Sequence, residues 1–237
     1  MMGKAVEASH VSYTYPDGSR ALFDITFSVF EGESVGIIGP NGAGKSTLLW
    51  HLNGILRGEG RTKVFGITLE KKNLFEIRKR VGLVFQDPND QLFMPTVFDD
   101  VAFGPLNLGL SPDEVRKKVE TKLEEMEICH LRDKPTAQLS IGEKKRVSLA
   151  SVLVMDPKIV VLDEPTVSLD PCGRYRFMEL IRSLPATKII STHDLDLVRN
   201  LCSRVLVLDR GLLVADGPTN GIIDNAPLME AHGLKPV

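Results

Sequence analysis

The segment Gly39-Pro40-Asn41-Gly42-Ala43-Gly44-Lys45-Ser46-Thr47 fits the pattern G-x-x-x-x-G-K-[ST] at every fixed position. The pattern constrains the fold because its loop must be fed by a buried strand and must open a helix. The flanking residues supply both: Ser34 to Ile38 is an apolar run of strand length, and Lys45 to Ile55 reads as a helix. Glycines at 39, 42 and 44 let the backbone turn tightly and aim successive N–H groups at phosphate oxygens, and the helix N-terminus adds partial positive charge. On this reading Lys45 reaches the β- and γ-phosphates of a nucleotide and Ser46 binds Mg²⁺.

A chain of 237 residues lies between one and two domains and can bury a large core; one compact domain with an inserted subdomain is expected. Lys and Arg total 29 against 31 for Asp and Glu, a net charge of -2, with no concentrated basic stretch. That balance argues against nucleic acid as a partner, since such binding needs a basic face to neutralise phosphates. No apolar run is long enough to span a bilayer, and Met1-Met2-Gly3-Lys4-Ala5-Val6-Glu7 lacks the apolar core of a signal peptide, so a soluble chain is expected. Cys129, Cys172 and Cys202 have neither metal-like nor redox-like spacing and are expected to be small packed residues in a reducing compartment.

Ala5 to Tyr15 and Leu22 to Val29, joined by the turn signal Pro16-Asp17-Gly18-Ser19, predict an antiparallel hairpin. From Val35 onward, short apolar runs alternate with helical patterns: Val81 to Phe85, Ile159 to Leu162, Lys188 to Ser191 and Val205 to Leu208. Fully apolar strands separated by helices indicate an α/β fold with a mainly parallel sheet covered on both faces. Between Gln86 and Pro157 the pattern turns helical, as an insert in that core. There Ser111-Pro112-Asp113-Glu114 combines a capping box with proline at the first helical position, and Val115, Val119, Leu123 and Met126 follow at helical spacing.

Two further strand ends carry chemistry. Ile159-Val160-Val161-Leu162 runs into Asp163-Glu164-Pro165, and paired carboxylates at the C-terminal end of a buried strand suit an Mg²⁺-nucleotide site. Asp163 is expected to hold Mg²⁺ indirectly or through water, and Glu164 to orient or deprotonate the attacking water. His193 follows Ile189-Ile190-Ser191-Thr192 at the next strand end, where its placement favours a γ-phosphate contact over a structural role.

Together with Leu139-Ser140-Ile141-Gly142-Glu143, these segments resemble the ATP-binding cassette ATPases over nearly the whole chain; the pentapeptide is similar to that family's signature, LSGGQ. The resemblance implies a P-loop ATPase core with a mainly parallel sheet, an N-terminal antiparallel β subdomain and an inserted helical subdomain. It implies one ATP-binding domain over 1–237, with 1–86 and 157–237 forming the core and antiparallel part, and 87–156 the helical signature subdomain. ATP would contact Gly39, Pro40, Asn41, Gly42, Ala43, Gly44, Lys45, Ser46 and Thr47, with Tyr15 at the adenine-stacking position. Glu164, His193 and Gln86 are the implied catalytic residues, and Ser46, Gln86 and Asp163 the implied Mg²⁺ ligands; Ser168-Leu169-Asp170 is the loop after the carboxylate pair. In a head-to-tail dimer, Ser140 and Gly142 would contact the γ-phosphate of ATP bound by the other subunit. Two residues depart from the pattern: Ile141 puts a β-branched side chain where glycine is usual, which leaves catalytic symmetry open, and Glu143 replaces the common Gln.

Val84 to Phe93, Asp100 to Gly109 and Gly142 to Val147 are similar to the energy-coupling-factor and cobalt-import branch of that family. That branch implies as partners a second ATPase subunit, identical or a paralogue, a transmembrane scaffold protein and a substrate-capturing membrane protein, at the cytoplasmic face of the membrane. Cobalt is the first expected cargo and nickel the second; a vitamin importer of the same type and a soluble non-transport ATPase are the alternatives. Leu92 to Pro95 are the expected contact with the scaffold, whereas Val97, Phe98 and Phe103 are expected to pack inside the helical insert.

Overall fold

The computed structural model describes residues 3–234; Met1 and Met2, which open the segment read as lacking a signal peptide, and 235–237, which close the expected 1–237 domain, lie outside the described residues. In chain order the elements are β1 (Lys4–Thr14), β2 (Arg20–Phe30), β3 (Ser34–Ile38), α1 (Lys45–Leu52), β4 (Glu59–Val64), β5 (Ile67–Thr68), α2 (Leu74–Arg80), β6 (Val81–Val84), α3 (Val97–Asn107), α4 (Pro112–Glu125), α5 (Ile141–Leu153), β7 (Ile159–Asp163), α6 (Pro171–Ser183), β8 (Thr187–Ser191), α7 (Leu195–Leu201), β9 (Arg204–Asp209), β10 (Leu212–Pro218), α8 (Thr219–Ile223) and α9 (Ala226–Ala231). They form two compact units. The first takes the chain up to Val81, Lys158–Glu164 and the chain from Pro185 onward; the second takes Gly82–Pro157 and Pro165–Leu184.

In the first unit β1 and β2 form the expected hairpin, closed by Asp17, whose carboxylate accepts from the backbone and hydroxyl of Ser19. Val6 and Ala8 are buried, and after a bulge at His10 the next buried apolar residue is Val11, because the extra residue shifts the alternation. β4 and β5 extend this sheet in the order β2-β1-β4-β5. Neither strand is legible as an apolar run: in Glu59 to Val64 only Thr62 and Val64 are buried.

A second set of strands runs β10-β9-β3-β8-β7, with β3 parallel to β8 and β9 and β7 parallel to β8. β7 and β8 are buried along their whole length, as strands covered on both faces must be. β10 is antiparallel to β9 through a two-residue turn at Arg210 and Gly211, both at positive φ (47° and 78°), the geometry that lets a tight hairpin follow the strand twist. α1 stops at Leu52, short of the expected Ile55, because the chain turns at Asn53 and Gly54, the latter at φ 72°.

The second unit is the helical insert. Ser111 caps α4 and Ser140 caps α5 through full capping boxes with Glu114 and Glu143. Val115, Val119, Leu123 and Met126 are buried as their spacing requires. Val97 is buried and Phe98 partly so, under the Arg132 guanidinium, but Phe103 is 42% exposed and not packed inside the insert. α3 turns Val97, Val101, Ala102 and Pro105 inward, so Phe103 and Leu106 face out, and the Phe103 ring meets the exposed Phe93 edge-to-face at 4.9 Å. The cysteine expectation holds only for Cys202; Cys129 lies in an exposed turn and Cys172 on the first turn of α6, both reachable by solvent.

Candidate active site

The phosphate loop connects β3 to α1 through contacts that only glycine permits. A Cβ on Gly39 would stand 2.1 Å from the carbonyl oxygen of Leu208 in β9, and Gly44 takes φ 100° with its Cβ position 2.7 Å from Ala21 O. Gly44 is thus the left-handed residue that turns the chain into α1, whose first-turn N–H groups lie outside the intrahelical bonding pattern, the arrangement that suits an anion. Lys45 is buried, and its amine donates to Gly39 O (2.8 Å) and Pro40 O (3.1 Å), keeping one of its protons for a phosphate oxygen. Burial pulls the Lys45 amine below its ordinary range, and the carboxylates of Glu164 and then Asp163 act against that pull. Pro40 and Ser46 are half-buried, Asn41 and Gly42 exposed, and Ala43 and Thr47 buried.

Strand register assembles the carboxylate end. Asp163 in β7 is paired with Ser191 in β8, and Ser191 is paired with Ile37 in β3, so three strand ends meet next to the phosphate loop. The Ser191 hydroxyl donates to Asp163, and the Thr192 N–H donates to Ile37 O at 3.1 Å. Glu164 is buried at a φ of 43°, a conformation that costs a non-glycine residue about 1–3 kcal/mol and recurs at functional sites. Its carboxylate accepts from the Thr192 hydroxyl (3.0 Å) and from Nδ1–H of His193 (2.9 Å), while its N–H donates to Ser191 O. The His193 side chain is 62% exposed, so one ring edge orients Glu164 and the other is open to a ligand. A buried carboxylate held by two donors is suited to orienting a water and accepting its proton.

The metal test rests on donor chemistry. The Ser46 hydroxyl, at the start of α1, and the Asp163 carboxylate are hard oxygens, the type Mg²⁺ selects. Among the described residues no three His, Cys, Asp or Glu side chains gather as a cage. Mg²⁺ at nucleotide sites is commonly held by one or two protein groups together with substrate phosphates.

Tyr15 follows β1, and its hydroxyl bonds the Thr47 hydroxyl at 2.9 Å, tying the expected base-stacking ring to the end of the phosphate loop. In the second unit, exposed Gln86 follows β6, and its carbonyl accepts from the buried Lys145 amine (3.0 Å) on α5. Gln91 strengthens that link: its amide accepts from Phe85 N (3.2 Å) and donates to Ser148 O (2.7 Å) and Ser151 Oγ (2.9 Å). The loop after β6 is therefore fastened to α5. At the start of α5 the Ser140 hydroxyl donates to Glu143 (2.7 Å), which holds the Glu143 carboxyl below its usual range, and Ile141 stands 39% exposed. Gly142 lies 3.7 Å, at its Cβ position, from Leu169, and both line a cleft of about 430 Å³.

The sequence reading missed Ser191 and Thr192 as holders of the carboxylates, and Gln91 and Lys145 as fasteners of the Gln86 loop. Pairing the strand ends Asp163 and Ser191 in register was the one signal that pointed to the first pair.

Residues 22–167 match the ABC transporter family. The chain is 48% identical over 238 residues, 99% of this chain and 88% of the relative, to the energy-coupling factor transporter ATP-binding protein EcfA of Carboxydothermus hydrogenoformans. It is 44% identical over 241 residues, 99% of this chain and 86% of the relative, to the cobalt import ATP-binding protein CbiO of Rhodobacter capsulatus. Among solved structures it is similar to cbiO1 from Clostridium perfringens, described as part of the ABC transporter complex cbiONQ, with a TM-score of 0.84, 40% identity and coverage of 97% of this chain and 94% of that one.

Proposed function

Because the chain belongs to the ABC transporter family, as an ATPase subunit whose hydrolysis of ATP is coupled to transport, we propose that it energises uptake of a transition-metal ion, cobalt first and nickel second, through an energy-coupling-factor type complex. The branch is supported by relatives named for energy coupling and for cobalt import. We read both units as one ATP-binding domain acting at the cytoplasmic face of the membrane, where the chain couples to a scaffold protein and a substrate-capturing protein. Among the described residues no helix is long and apolar enough to cross a membrane. The exposed Phe93, on the loop Leu92 to Pro95, and its partner Phe103 form the apolar surface that would receive short helices of the scaffold.

The observation that carries the catalytic reading is Glu164, buried and held by Thr192 and His193 while acting electrostatically on Lys45. ATP phosphates would sit on the N–H groups of Gly39 to Thr47 and on Lys45; Ser46 and Asp163 would hold Mg²⁺, which neutralises phosphate charge when bound. Glu164 positions the attacking water and takes its proton, and the exposed edge of His193 contacts the γ-phosphate. Ser140 and Gly142 serve the ATP bound by a second ATPase subunit.

Glu164→Gln keeps the hydrogen-bonding shape and removes the base. It is expected to retain ATP binding, to lose roughly 10²–10⁴-fold in turnover, and to accumulate an ATP-bound dimer in size-exclusion chromatography. Undiminished steady-state hydrolysis would sink the assignment. Cargo is settled separately, by ATP-dependent uptake of labelled Co²⁺ against Ni²⁺ in vesicles carrying the complex purified from its own membranes.

A further inference from the structure

His51 lies on α1 outside every role assigned above, yet it is 4% exposed, and a buried imidazole needs a reason. Its Nδ1 stands 2.7 Å from the carbonyl oxygen of Thr47, one helical turn earlier, and must be the donor because a carbonyl only accepts. Nε2 then carries the lone pair and has no hydrogen-bond partner among the described residues. The position is closely walled: a Cβ on Gly58 would stand 3.3 Å from Nε2 and 1.9 Å from Ser12 O. The imidazole packs edge-to-face on Tyr13, with ring centroids 5.0 Å apart, and Tyr13 packs edge-to-face on Tyr15 at 4.9 Å. Tyr15 closes the loop through its hydroxyl on Thr47 Oγ1, 2.9 Å away.

These contacts form a closed circuit, Thr47 to His51 to Tyr13 to Tyr15 and back to Thr47, all within the first unit. We propose that His51 and Tyr13 are positioning residues that set the Tyr15 ring to receive the purine of the nucleotide, and so govern base affinity separately from phosphate affinity. This inference rests on Tyr15 being the stacking residue, as proposed above. The physical argument is about preorganisation. Tyr15 follows the last residue of β1 and is partly exposed, so its hydroxyl bond alone leaves the ring plane free to swing about the tether. An edge-to-face wall at Tyr13, itself backed by an imidazole tied to α1, removes that swing before the ligand arrives. Because the wall is anchored at Thr47, the base platform and the phosphate loop share one rigid support.

The test compares two probes on the full chain, Mg²⁺-ATP and Mg²⁺ with inorganic tripolyphosphate, which carries phosphates and no base. Tyr13→Leu and His51→Leu are expected to weaken ATP binding roughly three- to tenfold, the range that edge-to-face pairs support, while tripolyphosphate binding stays within about twofold. Tyr13→Phe keeps the ring and is expected to restore wild-type ATP affinity. Should His51→Leu fail to fold, Tyr13→Leu against Tyr13→Phe decides the matter alone. Equal weakening of both probes in Tyr13→Leu would reduce the circuit to a structural support and overturn the proposal. Selective loss of ATP in Tyr15→Ala with none in Tyr13→Leu would overturn it while leaving the stacking role of Tyr15 intact. Unchanged ATP affinity in Tyr15→Ala would remove that role and the proposal with it.

Discussion

Burial pushes the His51 imidazole below its ordinary value of 6.5, and the Nδ1–H bond to Thr47 only partly opposes that shift. The sign of the linkage follows. Below about pH 6.5 the unfolded chain binds a proton that the native chain resists, so the contribution of His51 to stability is complete above that pH and is lost as pH falls through the depressed native value. His51→Asn keeps an N–H for the Thr47 carbonyl and cannot titrate. Thermal melts from about pH 7.5 down to about pH 5 are expected to show a shallower fall in Tm for this variant than for wild type; equal slopes would show that His51 is not linked to folding. At this scale, legibility tracked chemical rarity. Lys45 was readable from the loop pattern that ends in it, and Asp163, Glu164 and His193 because titratable groups at the ends of apolar strands are uncommon. Ser191, Thr192 and His51 were not, because they are ordinary residues whose importance comes only from what the register and the turn of α1 place opposite them.

At the scale of elements, the capping box on α4 allows a clean measurement. The Ser111 hydroxyl and backbone N–H both meet Glu114, and neither residue belongs to the site. Ser111→Ala is expected to cost about 1 kcal/mol, which lowers Tm by roughly 2–4 °C in a chain of this size, with ATP turnover unchanged. A shift below about 0.5 °C would mean that the cap is redundant. Ser111 was legible because a cap, a proline and an acid at fixed offsets form a local code. β3, β7, β8 and β9 were legible as apolar runs for the same local reason. β4, β5 and β10 were not, since each alternates or lies half-exposed and is defined by the strand it pairs with. Phe103 failed for a related reason: α3 buries the residues next to it, and only the helix phase reveals that Phe103 and Leu106 face outward.

At the scale of the whole molecule, the phosphate loop with its carboxylates falls in one unit and the signature segment in the other, and the proposed reaction pairs the loop of one subunit with the signature of a second. Specific ATPase activity of the isolated chain is therefore expected to rise with protein concentration and to level off as dimers saturate, in a dilution series at fixed excess ATP. A flat profile across about three decades of concentration would indicate that one chain suffices or that the dimer never dissociates, and sedimentation of the dilute sample separates those outcomes. The capping box at Ser140 bears on how such a dimer lets go. Its hydroxyl has a single proton, and in the free chain that proton belongs to Glu143. On the proposed contact of this hydroxyl with phosphate across the interface, Glu143 would have to release it, so closing would trade one charge-assisted bond for another and gain little from the exchange. A contact that is nearly neutral in free energy would steer which faces meet without locking them, which would suit a dimer that reopens after each proposed turnover.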